Sequence, residues 1–471
     1  MKSKLALAAV VTVLAASSMW SWSADRQTVI RTETVAYGGR QYTLTADASG
    51  WSLWQGDTLR WRGRGTAPAL PVSDAAASPS GELVEIAALP CPGDVFAGGQ
   101  IHAWDLEGDL QPELVFGNWA DTTYVYKAVG DNQLVQVHQL SNPVGSYYTE
   151  LVCAGDGDSD GLAELVFSTG TSGVPRDLFF VESSGPALYP DTVVLVLPEE
   201  SIGVNHLRMT DLDGDGLREY VGTSQGTHDN LLAIWENRAD NTFARVFSWH
   251  PGDPSAVSGE LAPGDVDGDG KGDIVVVTSV LLTDTVHLLE CTGDDAYQEV
   301  WSVELPTDNA YWVTPGPDLD RDGKGDFVVT GGVGYPIATW SFLMYEADGD
   351  DSCRLAWSYQ TQAAVIDGGC ATGDLDGDGR EELLGQVPGK TRVFRAAGDD
   401  DLALYWEHDG AVIGQGENRV VAPDLDRDGG GEAIWWTTSD PGTAVVYELV
   451  GAIFADGFEG GDTSAWSATV E

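Results

Sequence analysis

One acidic pattern recurs seven times along the 471-residue chain. It reads DLEGDLQPE from Asp105, DGDSDGLAE from Asp156, DLDGDGLRE from Asp211, DVDGDGKGD from Asp265, DLDRDGKGD from Asp318, DLDGDGREE from Asp374 and DLDRDGGGE from Asp424. Position 1 is aspartate throughout. Position 3 holds Glu107, Asp158, Asp213, Asp267, Asp320, Asp376 and Asp426, and position 5 holds Asp109, Asp160, Asp215, Asp269, Asp322, Asp378 and Asp428. Position 9 is always acidic, as Glu113, Glu164, Glu219, Asp273, Asp326, Glu382 and Glu432. Alternate residues of a tight loop turn to the same side, so three carboxylates converge on one point. A hard cation such as calcium takes six to eight oxygen ligands in flexible geometry. The backbone carbonyl at position 7 is a further oxygen, offered by Leu162, Leu217, Lys271, Lys324, Arg380 and Gly430. Glycine at position 6 permits the sharp turn.

Two rival readings are weaker. An EF-hand loop opens in the same way but closes with a glutamate at position 12 between two helices. Position 12 here holds Phe116, Phe167, Gly222, Val276, Val329, Gly385 and Trp435, none of them acidic. Asp and Gly also make ordinary polar turns. Four carboxylates within nine residues repel one another, however, unless a cation neutralises them. The sequence therefore predicts bound Ca2+, five to seven ions in all.

The loops must be positioned by strands. An apolar, β-rich run follows each motif, as in Leu114-Val115-Phe116, Ile274 to Val277, Phe327 to Val329 and Ile434 to Trp436. Successive motifs start 51, 55, 54, 53, 56 and 50 residues apart. That spacing accommodates four short strands per repeat, and no amphipathic helix is evident. A four-stranded unit repeated seven times predicts an all-β, seven-bladed β-propeller with a calcium loop in each blade. The DxDGDGxxD/E loop followed at once by a hydrophobic strand resembles the FG-GAP/VCBS repeat of integrin α-chain propellers and of many secreted bacterial proteins. The resemblance covers roughly residues 82 to 450. It implies that each loop joins the first and second strands of its blade and binds calcium on one face of the ring. The first loop departs from the pattern, with Glu107 at position 3 and Leu110 at position 6, and is expected to be the weakest site.

Composition agrees with this reading. Lys plus Arg number 24 against 74 Asp plus Glu, for a net charge of −50. Nucleic acid and anionic membranes are repelled by such a field, while cations are drawn in. Lys2, Lys4, the apolar run from Leu5 to Ala16 and the small residues Ser21 and Ser23 read as a secretory signal peptide over residues 1–23. The expected organisation continues with a β-rich segment and linker over 24–80, the propeller over 81–451 and a tail over 452–471. The tail stretch FADGFEGGDTSAWS resembles a short tail found on secreted bacterial proteins. No later segment is apolar enough to span a bilayer, so a secreted or cell-surface protein is expected. The five cysteines, Cys91, Cys153, Cys291, Cys353 and Cys370, match no zinc spacing, and their odd number leaves at least one thiol unpaired within the chain.

No catalytic constellation stands out. The seven histidines are scattered through the repeats. Gly222 to Gly226 fits GxSxG beside His228 and Asp229, but a nucleophile elbow needs a strand-to-helix turn. Loops between successive blades carry Tyr147-Tyr148 and Tyr311-Trp312, with Asn205, Glu417 and Asn418 at comparable places. Such aromatics stack on sugars, anchor protein partners or pack between blades. The expected role is a non-enzymatic scaffold for an extracellular glycan or protein. A calcium-dependent, polysaccharide-lyase-like enzyme on the same fold is the alternative. One closure feature is also legible. Glu82 to Leu89 precedes the first repeat as Gln133 to Leu140 precedes the second, so it is expected to complete the seventh blade beside Ala444 to Val450.

Overall fold

The computed structural model describes five strands between residues 19 and 63 and, from 82 to 450, everything except the connections 92–99, 118–121, 144–148, 170–176, 199–202, 225–229, 281–282, 308, 317, 334–337, 364–368, 388–389, 410–418, 422–423, 429 and 438–442. Two compact units result, one of Met1–Ser80 with Phe454–Glu471 and one of Gly81–Ile453. The first contains an antiparallel sheet of Met19–Ser21, Ile30–Tyr37, Arg40–Asp47, Gly50–Gln55 and Thr58–Gly63, in sequence order. Apart from Met19–Ser21, the proposed signal peptide lies outside the described residues, as does the C-terminal tail.

The second unit is a seven-bladed β-propeller, as the repeat spacing predicts. Each blade is a four-stranded antiparallel sheet. The third blade shows the plan: Val204–Thr210, Glu219–Ser224, Leu232–Ala239 and Thr242–Trp249, from the inside outward. The inner strand of every blade packs on that of the next, and Arg419–Val421 of the last packs on Ile101–Trp104 of the first. Second strands have neighbouring blades on both sides, so they are buried along nearly all their length and, after the leading acid, are mostly apolar, as in Glu113–Gly117 and Asp273–Val280. Outer strands such as Thr192–Leu197 are half-exposed.

The core consists of seven clusters, each drawn from two adjacent blades. Val115 and Val125 meet Leu165 and Phe167 between the first and second, for example, and Val275 and Val277 meet Phe327 and Val329 between the fourth and fifth. All five cysteines lie buried in this framework as free thiols. Burial pushes the thiols of Cys91, Cys153 and Cys353 up to about 12. Among the described residues no helix is long and apolar enough to cross a membrane.

The ring closes as the register implied. Glu82–Pro90 pairs antiparallel with Thr443–Val450, Leu89 opposite Ala444 and Glu82 opposite Val450. This strand covers the otherwise open edge of the seventh blade and ties the two ends of the propeller together. Leu89, 5% exposed, enters the cluster shared by the seventh and first blades, whereas Val84 on the same strand is 40% exposed. Leu89→Ala should therefore cost about 2–5 kcal/mol of unfolding free energy, and Val84→Ala under about 0.5 kcal/mol. Denaturant titration checks this, and equal losses would place the strand elsewhere.

Candidate metal centres

Each acidic loop joins the inner strand of its blade to the second strand, and the position-9 acid is the first residue of that second strand. Its carboxylate is buried and performs the same task in all seven blades. One oxygen accepts a hydrogen bond from the backbone N–H of position 2, from Leu106 to Glu113 at 2.8 Å, Leu212 to Glu219 at 2.7 Å and Leu425 to Glu432 at 2.9 Å, and likewise in the other four. The side chain at position 2 turns the other way, into the core between blades. Leu106, Leu212, Val266, Leu319, Leu375 and Leu425 are all nearly fully buried there. Gly157 replaces them in the second blade because Tyr220 of the third fills the place, its hydroxyl 2.3 Å from where a Cβ would sit.

The turn needs two left-handed residues. Position 6 has φ near 90° at Gly161, Gly216, Gly270 and Gly323. Leu110 adopts the same region at φ 72° with its side chain 85% exposed, so the loop accommodates it by leaving it in solvent. Position 4 is left-handed in every loop, including Ser159, Arg321 and Arg427, a requirement the varied residues there conceal.

The remaining acids converge. One oxygen each of Asp156, Asp158, Asp160 and Glu164 lie within 4.8 Å of one another, and so do those of Asp211, Asp213, Asp215 and Glu219. Buried oxygens of Asp156, Glu164, Glu219, Asp318 and Asp326 have no hydrogen-bond partner within the protein. Buried, unpartnered, convergent carboxylate oxygens are the donor set a hard divalent cation requires, so these residues fit calcium. Burial raises the position-9 acids, Asp273 to about 7, Glu219, Asp326 and Glu432 to about 8 and Glu164 to about 9, with nearby loop aspartates adding to the shift.

Two features were not visible in the motif. The first ties blade to blade. The position-3 carboxylate accepts a backbone N–H from the hairpin between the third and outer strands of the next blade. Asn241 donates to Asp158 at 2.6 Å, Asp295 to Asp213 at 3.2 Å, Asp351 to Asp267 at 2.8 Å, Asp400 to Asp320, and Asn132 of the first blade to Asp426 of the seventh at 2.6 Å. Every donor sits at a left-handed hairpin position, with φ between 52° and 59°. The second feature is on the third strand. The residue facing the position-9 acid is itself acidic in five blades, where Glu182, Glu236, Glu290, Glu346 and Glu448 face Glu164, Glu219, Asp273, Asp326 and Glu432.

The expected ligand face fares differently. Tyr147, Tyr148, Glu417 and Asn418 lie outside the described residues. Trp312 is 7% exposed, its ring 5.9 Å from that of Trp340, in the core between the fifth and sixth blades. It packs there instead of standing on an open surface, because the inner strand that carries it faces the neighbouring blade. Tyr311 is its neighbour in Asn309–Gly316. The Asn205 carbonyl accepts a hydrogen bond from the Gln100 side chain at 2.8 Å. Ser224 of the GxSxG match is fully buried at the end of Glu219–Ser224, its backbone N–H donating to the Ser258 hydroxyl at 3.1 Å.

The molecule thus belongs to the all-β propellers that carry an acidic loop in every blade. Residues 211–276 match the FG-GAP-like repeat family. The other six blades carry the same kind of acidic loop between the same two strands, so the match supports an FG-GAP-like repeat in a seven-bladed propeller. No curated protein matches it. Among solved structures it is similar to the BBS1N chain of a complex with ARL6DN, at 12% identity and a TM-score of 0.49 over 78% of this chain and 98% of that one. It is similar also to the V. cholerae biofilm matrix protein Bap1, at 12% identity and a TM-score of 0.42 over 93% and 87% of the two chains. The exotype rhamnogalacturonan lyase YesX matches at 13% identity and a TM-score of 0.43 over 89% and 80%.

The raised carboxylates give the metal-free protein a defined pH response. A carboxyl group whose folded-state pKa lies above its unfolded value near 4 favours folding while protonated, and that contribution is lost as pH rises through the folded value. Chelated protein should therefore lose thermal stability steadily between about pH 5 and pH 9. Melting curves across that range test this, and a chelated protein that gains stability on going to pH 9 contradicts it.

Proposed function

We propose that this protein is a calcium-stabilised propeller that works outside the cell as a non-enzymatic binding scaffold for a glycan or a protein. The observation that carries the calcium reading is the set of buried, unpartnered carboxylate oxygens converging in the loops. A cation there relieves the repulsion among four carboxylates. It also holds the loop that the next blade's hairpin grips through position 3, so the ion stabilises the ring as well as its own blade. The charged leader-like N-terminus supports an extracellular setting, where calcium is plentiful. Binding is favoured over catalysis because two of the histidines are engaged within the fold: His138 stacks on Tyr189 at 5.3 Å, and His287 is held by Thr278 at 2.9 Å.

A ligand that binds only the folded state adds stability by mass action. Millimolar calcium should raise the melting temperature by well over 5 °C relative to a chelator, and an unchanged melting temperature refutes the calcium reading. A glycan array read with and without calcium, beside an assay for unsaturated uronide release, separates scaffold from lyase. Release of unsaturated product would replace the scaffold reading with the enzymatic one.

A further inference from the structure

Two of the seven loops are built differently from the rest, and the difference is invisible in the acidic motif itself. In the first blade the pairing of Leu114 with Tyr126 brings Lys127 opposite Glu113, and in the sixth the pairing of Leu383 with Phe394 brings Arg395 opposite Glu382. These are the places where the other five blades have glutamate. The Lys127 ammonium binds Glu107, Asp109 at 2.7 Å and Glu113 at 3.0 Å, joining positions 3, 5 and 9. The Arg395 guanidinium binds Asp376 and, at 3.0 Å, Glu382, joining positions 3 and 9. Both are mostly sheltered, with side chains 12% and 16% exposed. Arg395 is braced from behind by the ring of Tyr405, 4.3 Å away.

Lysines at position 7 of the fourth and fifth loops behave otherwise. Lys271 reaches Asp269 at 2.6 Å and Glu290 at 2.9 Å, and Lys324 reaches Asp322 and Glu346. Both are over 40% exposed and sit on the outer side, binding neither position 3 nor position 9. An independent feature singles out the same two loops. Positions 3 of the first and sixth loops take Lys127 and Arg395, where the other five accept a hairpin N–H from the next blade. The second blade joins its third and outer strands by the longer connection 183–191, which places Tyr189 near Glu113 and Glu107. The seventh blade has no such hairpin, because its outer strand, Glu82–Pro90, comes from the other end of the propeller.

We propose that the third-strand residue opposite position 9 decides how each loop is neutralised. Glutamate there makes the second, third, fourth, fifth and seventh loops metal sites, while Lys127 and Arg395 serve the first and sixth as permanent internal cations that exclude the ion. The inference rests on the calcium reading above and refines it. The sixth loop is the sharper case, since DLDGDGREE has every acid of a calcium loop and the motif alone marks it as filled.

Native mass spectrometry of the calcium-loaded full chain should count five ions. Arg395→Glu, which installs the residue of the other blades, should raise the count to six, and Glu236→Lys should lower it to four. If either variant fails to fold, a calcium-edge anomalous map of the wild-type crystal decides the matter by location. Density in the second, third, fourth, fifth and seventh loops alone upholds the assignment. An ion beside Lys127 or Arg395, or a count of six or seven in the wild type, overturns it and leaves the calcium reading intact. A chain that binds no calcium at all overturns both.

Discussion

A buried carboxylate at the head of each second strand is the constraint on which the rest depends. It stands where the loop leaves the blade's inner strand and the buried second strand begins. One oxygen is committed to the position-2 N–H, which fixes the loop's start. Its other oxygen faces the loop aspartates in a place shielded from water. Burying a charge costs several kcal/mol unless it is paired. Every such carboxylate therefore needs a counter-charge or a proton, and in the first and sixth blades Lys127 and Arg395 stand against it.

This constraint links the blades as well as shaping them. In six blades position 2 sends its side chain into the core shared with the next blade, and in five position 3 receives that blade's hairpin. The acidic loop and the third-to-outer hairpin lie on the same face because antiparallel strands bring alternate connections to the same end. Glycine at position 8 of the fourth and fifth loops lets each loop press on its predecessor. A Cβ on Gly272 would stand 2.2 Å from the Leu212 carbonyl oxygen, and one on Gly325 2.1 Å from that of Val266. From the third blade to the fifth, successive loops therefore touch one another on one face.

The same logic accounts for the charge of the chain. Four acids in each loop make 28 of the 74 acidic residues. The third strands and hairpins add more in the same places, among them Glu236, Glu290, Glu346, Asp295, Asp351 and Asp400. Arg238 and Arg354 bridge some of these pairs, Arg238 to Glu236 at 2.8 Å and to Asp295 at 2.7 Å. Much of the net charge is therefore local to one face of the ring.

The sequence by itself determined the repeat, the blade count, the strand character and the strand that closes the ring. Each of these is a local pattern repeated: alternation of acid and apolar residue in the loop, unbroken apolar runs where a strand is covered on both sides, and the shared position of Glu82–Pro90 and Leu134–Ser141 in their repeats. It also marked the four acids that converge, because their spacing lies within nine residues. Only the tertiary structure decided what those acids meet. Lys127 lies 14 residues beyond Glu113 and Arg395 13 beyond Glu382, and each arrives by strand register, which fixes what stands opposite but leaves no fixed offset in the sequence. The hairpin donors come from the next blade, more than 80 residues away for Asn241 and Asp351. The burial of Trp312 likewise follows from its neighbour across a blade interface, where an aromatic beside a tyrosine reads the same whether it is open or packed.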